Sequence, residues 1–176
     1  MTNNNYSIRN LTLADTDHIL ELEGIIYPPG FEEDRKSIKK CLETNKYNIG
    51  IYNVDIIIGF IISEIDDTEN HLVWLYDIAI HPDWQGKGLA SILLSAYFKL
   101  TLSDNLIIKL LCRSTSYPIF SNEIRMNHYG YTIAENIYEK DGYFRRCGVH
   151  EDAHMIKLVP AKRSSKSCRQ TRPELT

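Results

Sequence analysis

The chain has 176 residues, 43% of them apolar and 24% charged, a composition that fits one globular domain and excludes a disordered or fibrous chain. Its formal net charge of −3 is unevenly spread: Lys162, Arg163, Lys166, Arg169 and Arg172 against Glu174 leave residues 1–160 near −7. An acidic body argues against a nucleic-acid surface and favours a cationic partner such as an amine. No apolar run reaches a membrane span, since the longest, Ile56–Ile62, has the length of a strand. The start, Met-Thr-Asn-Asn-Asn, has neither the basic nor the apolar region of a signal peptide, so a cytoplasmic location is expected.

In chain order, Tyr6–Asn10 is expected as a short strand. Leu13–Ile26 carries Ile19, Leu22, Ile25 and Ile26 at helical spacing. Tyr27-Pro28-Pro29-Gly30 must end that helix. Phe31–Leu42 follows as a second helix, acidic at its start and basic later, as the macrodipole favours. Tyr47–Tyr52 and Ile56–Ile65 are expected to pair as strands across the turn Asn53–Asp55. Val73–Ile80 is a strand, and Leu89–Leu102 a helix with Leu89, Leu93, Leu94, Tyr97 and Phe98 inward. Leu106–Cys112 is nearly continuous apolar, as a buried parallel strand is. Pro118–Tyr129 is expected as one helix ending at Gly130. Tyr131–Tyr138 and His154–Val159 are expected as a hairpin with a long loop. Ala161–Thr176 has no apolar periodicity and is expected as a basic, disordered tail outside the 1–160 domain.

Four cysteines without Cys-x-x-Cys spacing suit reduced structural thiols. Cys147-x-x-His150-x-x-x-His154 places ligand-type residues together, but no fourth ligand stands nearby, and no metal is expected.

Asp77 to Ala90 is the informative stretch. An apolar strand enters a glycine-rich loop, and the loop opens a helix. That order aims free backbone N–H groups and a positive helix end at one place, which suits a phosphate or pyrophosphate. It is not G-x-x-x-x-G-K-[ST], because no Lys-Ser/Thr follows the glycines, nor G-x-G-x-x-G, because Ser91 stands at the third glycine. Gln85-x-x-Gly88-x-Ala90 resembles the acetyl-CoA signature Q/R-x-x-G-x-G/A of GNAT-type N-acetyltransferases. The order of elements over residues 6–159 is similar to that family's fold: an α/β domain with a mixed sheet whose parallel fourth and fifth strands splay apart.

The resemblance implies acetyl-CoA as cosubstrate, lying between Tyr76–Ile80 and Ile107–Cys112. Backbone groups of Gln85, Gly86, Lys87, Gly88, Leu89 and Ala90 are expected to hold its pyrophosphate. Ile78, Ala79 and Ile80 are expected to run beside its pantetheine arm, with Asn122 as a further contact. The implied reaction is acetyl transfer to a primary amine, small molecule or peptide, by direct attack in a ternary complex. Such an attack needs a proton acceptor, and Asp77, Tyr76 and Glu64 are the candidates. Histidines that some members carry on the fourth strand are replaced here by Trp74 and Tyr76. Many members have a Tyr as general acid where Met126 stands, so Tyr129, His128 or Tyr117 would substitute, or no dedicated acid exists. In this family the first two helices wall the acceptor site, so in the stiff connection between them Tyr27 and Phe31 are expected to flank the amine and Glu32 or Glu33 to attract its charge. A non-catalytic acyl-CoA-binding sensor or interaction module is the alternative. A monomer or homodimer is expected, with no nucleic acid or membrane partner.

Overall fold

A computed structural model describes residues 6–27, 33–69, 71–113, 117–139, 143–144, 149–150 and 152–161. Pro28–Glu32, Cys147 and the tail beyond Ala161 therefore lie outside the described residues.

Strand β1 (Tyr6–Asn10) leads through a 3-10 turn (Leu13–Asp15) into helix α1 (Thr16–Ile26). Asp15 accepts hydrogen bonds from the Thr12 amide (2.8 Å) and hydroxyl (2.9 Å) and from the Tyr52 phenol (2.9 Å). The helix start is thereby capped and tied to the sheet. Helix α2 (Arg35–Thr44) begins four residues later than the sequence reading expects. The reason is Asp34, whose carboxylate accepts from the amides of Lys36 (2.8 Å) and Ser37 (3.1 Å) and so acts as the cap instead of joining the first turn.

Strands β2 (Ile49–Asn53), β3 (Ile56–Ile65) and β4 (Leu72–Ile80) form an antiparallel meander. Helix α3 (Leu89–Ser103) carries the chain back to β5 (Ile107–Arg113), which lies parallel to β4. The helix expected at 118–129 is two short ones, α4 (Tyr117–Phe120) and α5 (Glu123–His128). Asn122 breaks it by accepting from the Arg125 amide (2.9 Å), the capping role asparagine favours. Gly130 then turns the chain at φ +81°, with a virtual Cβ only 2.5 Å from a Leu102 methyl.

Strand β6 (Tyr131–Glu139) pairs with the last strand, β9 (Ala153–Pro160), as the expected hairpin. Between them, within the segment expected as a long loop, lies a short ribbon of β7 (Tyr143–Phe144) with β8 (Val149–His150). The main sheet has the order β1-β2-β3-β4-β5-β9-β6. Two cores cover its faces. Leu93, Leu94, Tyr97 and Phe98 of α3 pack on Ile58, Ile61, Val73, Leu75 and Ile108, while Ile19, Leu22, Ile38 and Leu42 of α1 and α2 pack on Phe60, Ile62 and Ala79. No described helix is long and apolar enough to cross a membrane.

Two irregularities shape the middle of the sheet. Past the end of β2, the Ser63 amide donates to Asn48 Oδ1 (2.7 Å) and the Ser63 carbonyl accepts from Asn45 Nδ2 (2.7 Å). Buried asparagine side chains thus replace the missing strand. On the other side, Ile62 pairs with Asp77 and Ser63 with Leu75, which leaves Tyr76 as an extra residue in β4. This bulge turns Leu75 toward the α3 face and Asp77 toward the α1/α2 face; unbroken alternation would have put both on one face.

The β3–β4 turn is clamped by Asp66, which accepts from the amides of Thr68 (2.8 Å) and Glu69 (3.0 Å) and from the Trp74 indole (3.0 Å). The Thr68 hydroxyl first, then the Trp74 indole and the amides, hold the Asp66 carboxyl well below the usual carboxylate range. A depressed pKa contributes stability that is complete above the ordinary carboxylate value, about 4, and is lost as the pH falls through the folded value. Acid titration of Trp74 fluorescence in a Trp84→Phe background should therefore show a transition well below pH 4, and Asp66→Asn should abolish it.

Candidate active site

Strands β4 and β5 pair only from Leu72–Ile107 to Leu75–Leu110. Beyond that point β4 stays bonded to β3 through Gly59–Ile80, while β5 stays bonded to β9 through Arg113–Ala153. The two strands part, and the edge of β4 beyond Leu75 is no longer bonded to β5. A cavity of about 650 Å³ fills the opening, of the size that takes a cofactor or small ligand.

One end of the cavity is the glycine loop. After Ile80, a 3-10 turn (Pro82–Trp84) is capped by His81, whose Nδ1 accepts from the Asp83 amide (3.2 Å). Gln85 Nε2 donates to the Ile80 carbonyl (2.9 Å) and braces the loop on the strand end. Gly86 and Gly88 adopt φ +73° and +77°, a region that costs other residues about 1–2 kcal/mol. The first α-helical hydrogen bond of α3 is from the Ile92 amide to the Gly88 carbonyl (3.2 Å), so the amides of Gly88, Leu89, Ala90 and Ser91 have no acceptor within the helix. Gly86, Gly88, Leu89 and Ala90 line the cavity, and this end is a ready anion site.

The other end is acidic. Asp77 Oδ1 accepts from the Tyr27 hydroxyl (2.7 Å), which joins β4 to the end of α1. Glu23, one turn earlier on α1, is 1% exposed, and its Oε2 accepts from the Glu33 amide (2.7 Å). Glu23, Tyr27, Glu33, Tyr76 and Asp77 all line the cavity. Leu75, Ile78, Leu94 and Leu110 supply apolar lining. Cys112 also lines it, and burial pushes this thiol up to about 11.

Of the residues singled out from the sequence, Tyr27, Tyr76, Asp77, Ile78, Ile80, Gln85, Gly86, Gly88, Leu89 and Ala90 converge on the cavity. Others are placed elsewhere. Glu64 points to α2, where its carboxylate pairs with Lys40 Nζ (2.7 Å). Tyr129 stacks on Phe98 (4.9 Å between ring centres). The Asn122 carbonyl caps α5, and the Ala79 side chain is buried against α1 and α2. Lys87 Nζ donates to the Asp83 carbonyl (3.0 Å) and lies over the Trp84 ring. Met126 is fully buried in the core. Phe31 and Glu32 lie outside the described residues.

Sequence reasoning missed Glu23, although the signal was present. Glu23 falls on the stripe Ile19, Leu22, Ile26 that α1 turns inward, and an acid on an apolar stripe is the exception to explain.

The model of the acetyltransferase (GNAT) family matches residues 15–117, which include both the glycine loop and the acidic end. The chain belongs to the GNAT acetyltransferase family. Its fold is similar to that of the ribosomal-protein-S18-alanine N-acetyltransferase of Escherichia coli, at 18% identity and a TM-score of 0.67 over 92% of this chain and 97% of that one. The diaminobutyrate acetyltransferase EctA of Paenibacillus lautus, in complex with L-2,4-diaminobutyric acid and coenzyme A, matches at 14% identity and a TM-score of 0.66, over 89% and 96%. The acetyltransferase yncA of Salmonella typhimurium with acetyl-CoA matches at 15% identity and a TM-score of 0.65, over 89% and 94%. No curated protein sequence matches this GNAT chain.

The loop geometry has a direct test. Gly88→Ala meets no atom within 4 Å, so its cost comes from the positive φ alone. It should lower stability by about 1–2 kcal/mol and weaken binding of a pyrophosphate-bearing ligand in calorimetry, whereas Lys87→Ala should leave that binding nearly unchanged.

Proposed function

We propose that this GNAT protein is an acetyl-CoA-dependent N-acetyltransferase that acts on a primary amine. The observation that carries the reading is the single cavity between the parted strands, with an array of amides at one end and Asp77 with Tyr27 at the other. The amides suit the pyrophosphate of acetyl-CoA. The edge of β4 that β5 leaves, at Ile78 and Ile80, suits an extended pantetheine arm with its amides, which would bind as an added strand. The acetyl group then lies along β4 toward Asp77. The bound ligands named for the similar structures, coenzyme A, acetyl-CoA and a diamino acid, agree with both ends of this arrangement.

Acetyl transfer forms one C–N bond and breaks one C–S bond. An ammonium of pKa about 10 must first lose a proton at neutral pH. Asp77 accepts that proton, directly or through one water, and Tyr27 holds the Asp77 carboxylate in place. The amine nitrogen attacks the thioester carbonyl, whose oxygen is stabilised by an amide on the open edge of β4. The tetrahedral intermediate expels the CoA thiolate, and the second nitrogen proton leaves as the amide forms, to the thiolate or to water. Cys112 takes no part: burial keeps it a neutral thiol at pH 7, a poor nucleophile, which favours direct attack over an acyl-enzyme.

A sensor that binds acyl-CoA without transfer would need the amide array but not the carboxylate and phenol joined across the opening. Asp77→Asn should reduce kcat by about a hundredfold or more with little change in acetyl-CoA affinity. Release of CoA thiol and calorimetric titration measure the two quantities separately. Unchanged turnover in this variant would remove Asp77 as the base, and tight acetyl-CoA binding without transfer to any amine would establish the sensor.

A further inference from the structure

The geometry points to an acceptor with a long apolar chain, an alkylamine whose tail leaves the cavity and lies on a strip formed by Leu111, Met155 and Ile137. This rests on the acetyltransferase reading above and names its substrate class.

Three observations carry it. The first is the mouth of the cavity. Among the described residues, and away from the glycine loop, the exposed ones that line it are Tyr76, Leu111 and Ile119, at 43%, 39% and 36% exposure. Single exposed apolar side chains are ordinary on a protein surface, but three around one opening mark a place where apolar material enters.

The second is the register of the sheet. Leu111 of β5 pairs with Met155 of β9, and Met155 pairs with Ile137 of β6. Residues paired directly across strands share a face, with Cβ atoms about 5 Å apart. These three therefore form one apolar row that starts at the cavity and crosses three strands. Ile137, at its far end, is as exposed as Leu111, and Met155 between them is half-buried. The core beneath α1 and α2 draws its sheet residues from β2, β3 and β4, so the row continues past the edge of that cover. The next row on the same face is charged, with Lys109, Lys157 and Glu135 in the same register, and gives the strip a polar border.

The third is the direction of the row. It runs across strands that are bonded to one another, so a ligand lying along it meets side chains in place of open backbone groups. A peptide laid there would bring its N–H and C=O groups onto apolar side chains, at a cost. A hydrocarbon chain brings none. From β5 to β6 is two strand spacings, about 10 Å. An extended chain that advances roughly 1.2 Å per bond covers that distance in about eight bonds. The ammonium end is drawn to the acidic end of the cavity, where Asp77 stands.

The test compares butylamine, hexylamine and octylamine, which share one amine group and differ only in chain length. With saturating acetyl-CoA, thiol release gives kcat and KM for each. In parallel, each amine is titrated calorimetrically into protein loaded with CoA, a readout that does not depend on turnover. The expected gain is about twofold per methylene, less than full burial gives, because the strip covers one side of the chain. Octylamine should thus exceed butylamine about tenfold or more in kcat/KM, through KM with kcat alike, and should bind more tightly in the same order. Met155→Thr with Ile137→Thr keeps a strand-forming residue at both positions and should remove most of that advantage. Butylamine, which covers about half the distance, is the control. If the double variant does not fold, Ile137→Thr alone, on the exposed end of the strip, decides.

Equal use and equal binding of butylamine and octylamine by the wild-type protein would overturn the substrate class while the acetyltransferase reading stands. So would an octylamine preference that survives the substitutions, or better use of a tetrapeptide with apolar side chains. Chain-length-dependent binding that the substitutions erase, without thiol release from any amine, would do the reverse.

Discussion

The parting of β4 from β5 is the constraint on which the rest of this GNAT protein depends. Parallel strands gain a hydrogen bond for nearly every residue they pair, and here pairing stops at Leu75 and Leu110 although both strands continue. Backbone groups left open in a sheet are costly unless water or a ligand satisfies them. Two features hold the strands apart. The Tyr76 bulge gives β4 extra twist at the point of divergence, and each strand remains bonded on its outer side, to β3 and to β9. The opening is therefore built into the sheet, and it explains why the cavity reaches both faces: Leu94 of α3 lines it from one side, and Tyr27 of α1 from the other.

The same bulge decides the electrostatics. It sets Leu75 into the α3 core and turns Asp77 onto the face where α1 ends, within reach of the Tyr27 hydroxyl. The dipole of α3 makes the far end of the cavity positive, while Glu23, Glu33 and Asp77 make the near end negative. The charges at the two ends are opposite, which is what the proposed reaction asks of a site that takes an anionic donor and a cationic acceptor.

The site was legible in the sequence where backbone conformation dictates residue type. Gly86 and Gly88 occupy positive φ, and that demand is visible in a single sequence once a strand and a helix flank it. The apolar runs of β3, β4 and β5 and the inward stripe of α3 were legible for the same reason: burial imposes a period. What lay beyond reach depends on partners distant in the chain. Glu64 looks like a base on the third strand until Lys40, 24 residues away, takes its carboxylate. Tyr129, expected as an acid, stacks on Phe98 and is not among the residues that line the cavity. Asn122 looks like a ligand contact, but its cap bond to Arg125 also splits the helix that was expected to be continuous. The Tyr76 bulge leaves no mark in the alternation of β4, so the faces of Leu75 and Asp77 could not be read in advance.

Met126 stands where the family resemblance implies a proton donor, and its burial in the core shows that this position serves packing. The proposed chemistry tolerates that. A thiol has an ordinary pKa of about 8.5 and an alkylamine about 10, so the thiolate is the better leaving group when the tetrahedral intermediate collapses. Expulsion needs the amine proton to be removed more than it needs the thiolate to be protonated, because the nitrogen that keeps its proton leaves again. The demanding proton transfer is therefore at the acceptor. It is there, at Asp77 and Tyr27, that the fold joins two elements fifty residues apart by a hydrogen bond of 2.7 Å.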